Sequence, residues 1–263
     1  MTRPLVLLCA LLAFVSQACA EGWRPVADFD RAQADTDLVY VKRTAARLSD
    51  GKEVAANLVF FTSTTFRLEV IDLGGGAKPS HRSLAQAFRA NGCVAGVNGG
   101  FFHPDWRPAG LVVAQSRRIN RLERAKLLSG VLYSDNNGIH LMRRARFRDH
   151  GGITALLQTG PYLIESRRPV RGLSDRNSRR RTFIATDWRR HWVLGATTSG
   201  LTLAELAEAL ASPDALTPWP VDRAINLDGG SSTGFFFDRG PDNAAVLQQP
   251  LKRVRTLLGI TAR

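Results

Sequence analysis

The residue types in this chain that could do chemistry lie at the ends of two apolar segments. In "NLDGGSSTGFFF" (226–237), Asp228 follows an apolar run and precedes two glycines and three hydroxyl residues. In "CVAGVNGGFF" (93–102), Asn98 also follows an apolar run and precedes two glycines. A carboxylate at such a place can accept a proton, act as a nucleophile or ligate a cation, and an amide can donate or accept hydrogen bonds. The alternative for both residues is that they anchor tight turns through bonds to the main chain.

The elements that must position these residues are mainly strands. Apolar and alternating runs bounded by glycine and asparagine turns predict many strands, and "CVAGV" and "RAINL" are typical of buried ones. Two helices are predicted, at residues 83–92 and 199–214, because capping residues precede their apolar stripes. These elements favour an α+β fold: a single domain with a mixed β-sheet and a few packed helices.

The N-terminus is typical of an export signal. Residues 1–20 combine an early arginine, an apolar stretch at 4–15 and a small-residue "ACA" site, which predicts cleavage after Ala20. The alternative is a lipoprotein anchored through Cys19. Residues 21–37 are predicted as an extended lead-in and 38–263 as the functional domain. We therefore expect a periplasmic or secreted protein with no transmembrane segment once the signal is removed.

Composition restricts the partners and cofactors. The 263 residues carry a net charge of +13 with a pI of about 10.8, which favours anionic partners. The basic runs are not accompanied by exposed aromatic residues of the kind that nucleic-acid-binding proteins use, so no specific nucleic-acid partner is predicted. Cys93 is the only cysteine after the signal, which excludes an internal disulfide and a cysteine metal cluster in the mature chain. No metal motif is present, although a divalent cation held by Asp228 is left open.

Five segments, in order along the chain, resemble the phosphodiester glycosidase family. They are "VNGGFF" (97–102) with "PAGLVV" after it, "LQTGPYLI" (157–164), "RTFIATD" (181–187), "TSGLTLAELAEAL" (198–210) and "INLDGGSST" (225–233). The resemblance covers about residues 38–263. It implies a mixed α/β domain whose pocket gathers these segments, and cleavage of the bond between a sugar's anomeric carbon and a phosphodiester.

The resemblance assigns Asn98, Gly99, Thr159, Gly160, Arg181, Asp228, Gly229 and Gly230 to the site, and the residue types and positions next to these motifs add Gly100, His103, Ser231 and Ser232. The predicted catalytic residues are Asp228, Asn98, Arg181 and Thr159. One position departs from the family pattern, because a third glycine often follows the aspartate and this chain has Ser231 there. The predicted substrate-binding residues are Gly99, Gly100, Gly160, Gly229, Gly230, Ser231, Ser232 and His103.

The chemistry of these residue types fits the cleavage of a sugar phosphodiester. Arg181 can hold phosphate oxygens in a two-point contact, and Asp228 can serve as nucleophile, general base or cation stabiliser. A second carboxylate is not fixed by the sequence: Asp105, Glu165 and Asp187 are all eligible. The basic segment 166–181 is either a solvated loop or a lid over an anionic substrate.

The sequence thus predicts an exported hydrolase acting on a phosphorylated or phosphodiester-linked glycan. The alternative is a non-catalytic module that binds anionic glycan in the cell envelope. Both interpretations require distant segments to converge, with Asp228 and Arg181 in a single cleft.

Overall fold

The computed structural model describes residues 22–75 and 83–263, so the predicted signal at 1–20 lies outside the described residues. The described chain forms two α-helices, α1 (Leu84–Ala90) and α2 (Leu203–Ala211), and eighteen strands. The strands are β1 (Trp23–Asp35), β2 (Leu38–Arg47), β3 (Glu53–Thr62), β4 (Phe66–Asp72), β5 (Ala95–Asn98), β6 (Val112–Ala114), β7 (Arg117–Asn120), β8 (Gly130–Asp135), β9 (Gly138–Arg143), β10 (Ala155–Thr159), β11 (Tyr162–Glu165), β12 (Arg168–Pro169), β13 (Thr182–Thr186), β14 (His191–Thr197), β15 (Arg223–Asn226), β16 (Phe235–Phe237), β17 (Val246–Gln248) and β18 (Thr256–Ala262).

The strands form three sheets. The largest has eight strands in the order β1-β2-β3-β14-β13-β15-β11-β12. A second sheet has the order β7-β6-β10-β8-β9, and a third has the order β17-β16-β5-β18-β4. The segment predicted as an extended lead-in supplies β1, which pairs with β2 along its length. The chain passes from the second sheet to the first between β10 and β11, at Gly160 and Pro161.

The main hydrophobic core lies between the three sheets. It contains Tyr40 and Ile184 from the eight-stranded sheet, Leu157 from the second sheet, and Val97 and Phe235 from the third. Because strand side chains alternate between the two faces of a sheet, each sheet has a second face to cover. α2 covers part of the eight-stranded sheet, and α1 packs against the outer face of the third.

Both predicted helices are confirmed, with their predicted caps. The hydroxyl of Ser83 accepts a hydrogen bond from the Gln86 N–H at the start of α1. At the start of α2, Thr202 and Glu205 form a reciprocal capping box that satisfies two N–H groups with no partner inside the helix. Each helix is shorter than the predicted segment because the flanking residues serve as caps and connections.

The predicted α+β class with a mixed sheet is wrong. Strands account for 46% of the described residues and helices for 9%, so the fold is a β-rich sandwich. The ladders between its strands are antiparallel throughout the described residues. The two helices have strong sequence signals, but in the structure they only cover outer faces of sheets that pack on one another. No helix in the described residues has the length and apolar character needed to span a bilayer.

The two strands that precede the glycine turns after Asn98 and Asp228 lie in different sheets. β5 ends at Asn98 in the third sheet, and β15 ends at Asn226 in the eight-stranded sheet. Their following turns meet, since the Asp228 N–H donates to the Gly99 carbonyl at 3.2 Å. The junction of two sheets therefore positions the candidate site.

Candidate active site

A cleft of about 480 Å³ opens where these turns meet. Segments far apart in the sequence line it, so the predicted convergence of Asp228 and Arg181 on one cleft is observed. A loop rich in arginine, residues 174–181 (the arginine loop), supplies one side, and the turn after β15 supplies another. The lining residues are Phe101, Leu127, Pro161, Ser174, Arg176, Asn177, Arg179, Arg181, Leu203, Asn226, Asp228, Gly229 and Gly230.

Asp228 is the acidic residue among those lining the cleft. Its carboxylate accepts a hydrogen bond from the Gly229 N–H at 2.9 Å. Burial raises the pKa of this carboxyl, and the Ser232 hydroxyl, the charge of Lys252 and the Gly229 N–H oppose that rise. A half-buried carboxyl with elevated proton affinity, facing a cleft, is a candidate for proton transfer or nucleophilic attack.

Arg181 precedes β13 and is 9% exposed. Its Nε donates to the Leu201 carbonyl at 2.7 Å, and its Nη2 donates to the Asn177 carbonyl at 2.9 Å. These two bonds fix the guanidinium plane, while Nη1 has no protein partner among the described residues. Desolvation lowers the Arg181 pKa, and repulsion from Arg179 lowers it further, against a smaller opposing effect of Glu205.

The arginine loop also brings Arg176 and Arg179 to the cleft. Within the described residues, none of the four arginines of this loop pairs with a carboxylate. The cleft therefore presents uncompensated positive charge beside one carboxyl, which suits an anionic ligand.

Asn98 holds the two glycine turns together from behind the cleft. It is 1% exposed, and its Nδ2 donates to the Asp228 carbonyl at 2.6 Å. Its Oδ1 accepts from the Thr182 hydroxyl at 2.8 Å and from the Gly234 N–H at 3.0 Å. The structure therefore places Asn98 as a positioning residue, connecting the turn that carries Asp228 to the start of β13.

Thr159 and Gly160 also lie behind the cleft wall. The buried Thr159 hydroxyl donates to the Asn226 carbonyl at 3.0 Å. The Asn226 side chain in turn donates through Nδ2 to the Gly160 carbonyl at 3.0 Å. These bonds fix the end of β15, from which Asp228 projects. Asn226 lines the cleft but carries no signal in the sequence beyond its place before the aspartate.

The glycines allow close packing of main chain, and several of their N–H groups already have partners. The Gly99 N–H donates to the Thr256 carbonyl at 2.7 Å, and the Gly230 N–H donates to the Arg180 carbonyl at 2.7 Å. A Cβ on Gly229 would lie 2.8 Å from the same Arg180 oxygen, and Gly230 has a φ of +63°. Gly100 is buried without such crowding. These turns therefore place main chain close to the arginine loop, and their bonded N–H groups are not free to hold a phosphate.

The remaining predicted contact residues are separated. Ser232 is buried next to Asp228 and acts on its pKa, whereas Ser231 is exposed and does not line the cleft. His103 lines a different recess, with Arg107 and Glu123. The His103 imidazole comes within 4.0 Å of Glu123, and the structure does not place it at the cleft with Asp228.

The eligible second carboxylates all lie elsewhere. Asp105 is exposed and accepts from the Arg107 N–H, and Glu165 forms a two-point ion pair with Arg143. Asp187 binds the ring of His191 at 2.8 Å. Asp228 is thus the single carboxyl among the lining residues, and no group of three or more metal-binding side chains is found in residues 22–75 and 83–263.

The sequence offered one signal for Arg176 and Arg179. Residues 176–181, "RNSRRR", hold four arginines and no acidic residue. A solvated loop can have the same arginine-rich composition, so the sequence does not indicate which of these arginines line the cleft.

Comparison with known proteins agrees with the fold and with the segments that form the site. The phosphodiester glycosidase family model matches residues 91–261, which contain Asn98, Arg181 and Asp228. No curated protein gives a significant match.

Two solved structures are similar in fold, and a third gives a weaker match. The catalytic domain of zebrafish N-acetylglucosamine-1-phosphodiester alpha-N-acetylglucosaminidase, auto-inhibited by its pro-peptide, superposes with a TM-score of 0.62 at 14% identity, covering 92% of this chain and 89% of that one. A hypothetical protein from Synechocystis gives a TM-score of 0.56 at 17% identity, covering 86% of this chain and 62% of its own length. A putative exported protein from Burkholderia pseudomallei gives 0.49 at 13% identity, covering 80% and 74%. The family model spans most of the chain and includes the whole site, so this chain belongs to the phosphodiester glycosidase family.

Proposed function

We propose that this chain is an exported hydrolase that cleaves the bond between a sugar's anomeric carbon and a phosphodiester in an envelope or extracellular glycan. The observation that supports this most directly is one carboxyl with a raised pKa, Asp228, in the same cleft as three guanidiniums without carboxylate partners. A charge pattern of this kind suits a substrate that is anionic next to the bond to be broken.

The reaction needs only one protein carboxyl because of its leaving group. When the bond between the anomeric carbon and oxygen breaks, the electron pair stays on the phosphate oxygen and the product is a phosphomonoester. The second pKa of such a group is about 6, so it departs near neutral pH with little help from a proton donor. Ordinary glycosidases use a pair of carboxyls, one of them to protonate a poor leaving group. The lone Asp228 therefore fits a phosphate leaving group better than an alcohol.

In the proposed reaction, Asp228 acts as the general base or as the nucleophile. Its raised pKa makes the ionised carboxylate a stronger base than an exposed aspartate. The geometry allows two routes: the carboxylate takes a proton from a water that attacks the anomeric carbon, or it attacks that carbon itself and water releases the sugar. The first inverts the configuration and the second retains it, so proton NMR of the fresh product distinguishes them.

Arg181 supplies stabilisation of the leaving group. The phosphate gains a second negative charge as the bond breaks, so a fixed guanidinium binds the transition state more strongly than the substrate. The bonds to the Leu201 and Asn177 carbonyls hold that guanidinium before substrate arrives, and Nη1 remains available. Lysine cannot reproduce this geometry, so Arg181→Lys is expected to lower kcat by about a hundredfold.

The zebrafish neighbour suggests the first substrate to test. Its name specifies an α-linked N-acetylglucosamine 1-phosphodiester.

Export is proposed from the sequence of residues 1–20, and N-terminal sequencing of protein recovered from outside the cytoplasm is expected to start at Glu21.

The enzyme assay compares wild type with two variants on a panel of sugar 1-phosphodiesters. Asp228→Asn is expected to lower kcat/KM by about a thousandfold. Asp105→Asn, an exposed aspartate away from the cleft, serves as the matched control and is expected to retain activity. Adding a chelator to the wild-type reaction decides whether a cation at Asp228 takes part.

The alternative, a binding module, makes a different prediction. A module would bind the panel compounds without releasing sugar, and Asp228→Asn would leave that binding unchanged. Calorimetric binding with no product over the whole panel would therefore replace the proposed hydrolase by the module.

A further inference from the structure

The arginine loop is held in place by main-chain bonds on both sides. The Arg179 N–H and carbonyl bond to Leu201 at 3.0 and 2.9 Å, and the Arg180 carbonyl accepts from the Gly230 N–H at 2.7 Å. Closer to its start, the Ser174 carbonyl accepts from the Ala204 N–H at 3.1 Å. The loop therefore presents its side chains from a fixed backbone.

The side chains of Arg176 and Arg179 have no partner among residues 22–75 and 83–263. Both are exposed, both line the cleft, and neither donates a side-chain hydrogen bond to the described residues. Some exposed arginines elsewhere, such as Arg118 and Arg89, are held by aspartates in two-point contacts. Arg179 and Arg181 line the same cleft, and repulsion from Arg179 contributes to lowering the Arg181 pKa. A cluster of like charges of this kind favours binding of an anion in the cleft.

Binding of a simple sugar phosphodiester leaves part of this charge without a partner. The lining residues include three guanidiniums and one carboxyl, and a sugar phosphodiester brings one negative charge. Arg181 can donate to that phosphate from Nη1, the nitrogen that has no protein partner among the described residues. Arg176 and Arg179 then remain unpaired on the same rim, where a second oxyanion would match their forked donors.

Building on the proposed function, we infer that the natural substrate carries a second anionic group on the aglycone, next to the scissile phosphodiester, and that Arg176 and Arg179 bind it. The substrate class is thus a polyanionic glycosyl phosphodiester. The anion is an oxyanion, either a phosphate or a carboxylate, which guanidinium forks recognise in the same way.

Three synthetic probes test this inference. Each is an α-N-acetylglucosamine 1-phosphodiester, and the aglycone is glycerol, glycerol 3-phosphate or glycerate. The readout is the ratio of kcat/KM for each charged aglycone to that for glycerol, so a general loss of activity cancels. We expect wild type to favour a charged aglycone by about tenfold, because two partly exposed arginine contacts each contribute a few-fold.

Two double variants give the comparison. Arg176→Gln with Arg179→Gln is expected to bring the ratio to about one. Arg168→Gln with Arg171→Gln removes the same charge from exposed positions that do not line the cleft, and is expected to keep the wild-type ratio. The preference is also expected to fall as salt is added, since the contacts are exposed.

The outcomes separate the two proposals. If wild type cleaves all three probes at equal kcat/KM, or if both double variants lower the ratio alike, the inference is wrong and the proposed function stands. A preference for only one charged aglycone identifies the oxyanion. If no probe is cleaved, the hydrolase proposal fails and binding of the probes is measured by calorimetry. Tenfold tighter binding of a charged probe that is lost in Arg176→Gln with Arg179→Gln supports the anion site. Equal or absent binding of the three probes overturns both proposals.

Discussion

Replacing Asn98 by alanine tests how the site is held together. The Asn98 amide joins three groups that come from different parts of the chain: the Asp228 carbonyl, the Thr182 hydroxyl and the Gly234 N–H. The bonds to Thr182 and Gly234 are buried and the bond to the Asp228 carbonyl is partly buried, so water cannot replace the buried partners without entering the packed junction.

The expected cost follows from the number of groups left without partners. Each buried polar group that loses its partner costs about 1–3 kcal/mol, and partial relaxation brings the sum for three groups to about 3–5 kcal/mol. Whole folds are stable by about 5–15 kcal/mol, so Asn98→Ala is expected to remove a large share of the free energy of unfolding. For a chain of this length the melting temperature is expected to fall by about 10 °C.

The assay is urea or thermal unfolding followed by circular dichroism. Asn243→Ala, an exposed asparagine without a side-chain bond in the described residues, is the matched control and is expected to change stability by less than about 0.5 kcal/mol. Thr182→Val alone is expected to cost about 1 kcal/mol, and less in the Asn98→Ala background, because its hydroxyl has already lost its acceptor. A cost of Asn98→Ala below about 1 kcal/mol, with no coupling to Thr182→Val, would refute this account of the junction.

Three further predictions concern stability and reactivity. Burial raises the Asp228 pKa, so the stability that a protonated carboxyl confers is present at acidic pH and is lost as pH rises through the raised pKa. Asp228→Asn is therefore expected to melt above wild type at neutral pH, with the difference closing in acid, and a lower melting temperature at neutral pH would contradict this. Gly99→Ala would bring a Cβ to 2.9 Å from the Thr256 carbonyl oxygen, and is expected to cost about 1–3 kcal/mol in urea unfolding. Gly100→Ala, whose Cβ would lie 3.6 Å from its nearest neighbour, is the control and is expected to be tolerated. The Cys93 thiol is 3% exposed and its pKa is raised to about 12, first by burial, so iodoacetamide is expected to label it only after unfolding. Mass spectrometry of native protein showing rapid labelling would overturn that expectation.

Local features of the fold were predictable, and the pairing between distant segments was not. Ser83 and Thr202 mark their helices because a capping bond spans only three residues, so the sequence contains the whole signal. Which sheet a strand joins depends on contacts with distant residues. β5 and β15 have the same apolar pattern, yet they belong to different sheets. The two helices have clear local signals in the sequence, but the strands and their pairing determine the fold class, which the sequence therefore predicted wrongly.

The candidate site shows the same division. The family resemblance indicated that Asp228 and Arg181 would share a cleft, and they do. It did not indicate that the Asn98 amide is fully engaged within the protein, because the bonds to Thr182 and Gly234 link residues far apart in the sequence. Nor did it separate His103 from the cleft, since closeness in sequence to a glycine turn does not determine which recess a side chain faces.

The contact between the glycine turn and the arginine loop has a consequence for how specificity can change. Gly229 leaves no room for a side chain beside the Arg180 oxygen, and the neighbouring amide is bonded to that same atom. The main chain therefore sets the separation between the turn that carries Asp228 and the arginine loop. If the proposed function holds, substitutions along the rim can change which aglycone is accepted, whereas the main-chain separation between these two segments is expected to stay constant.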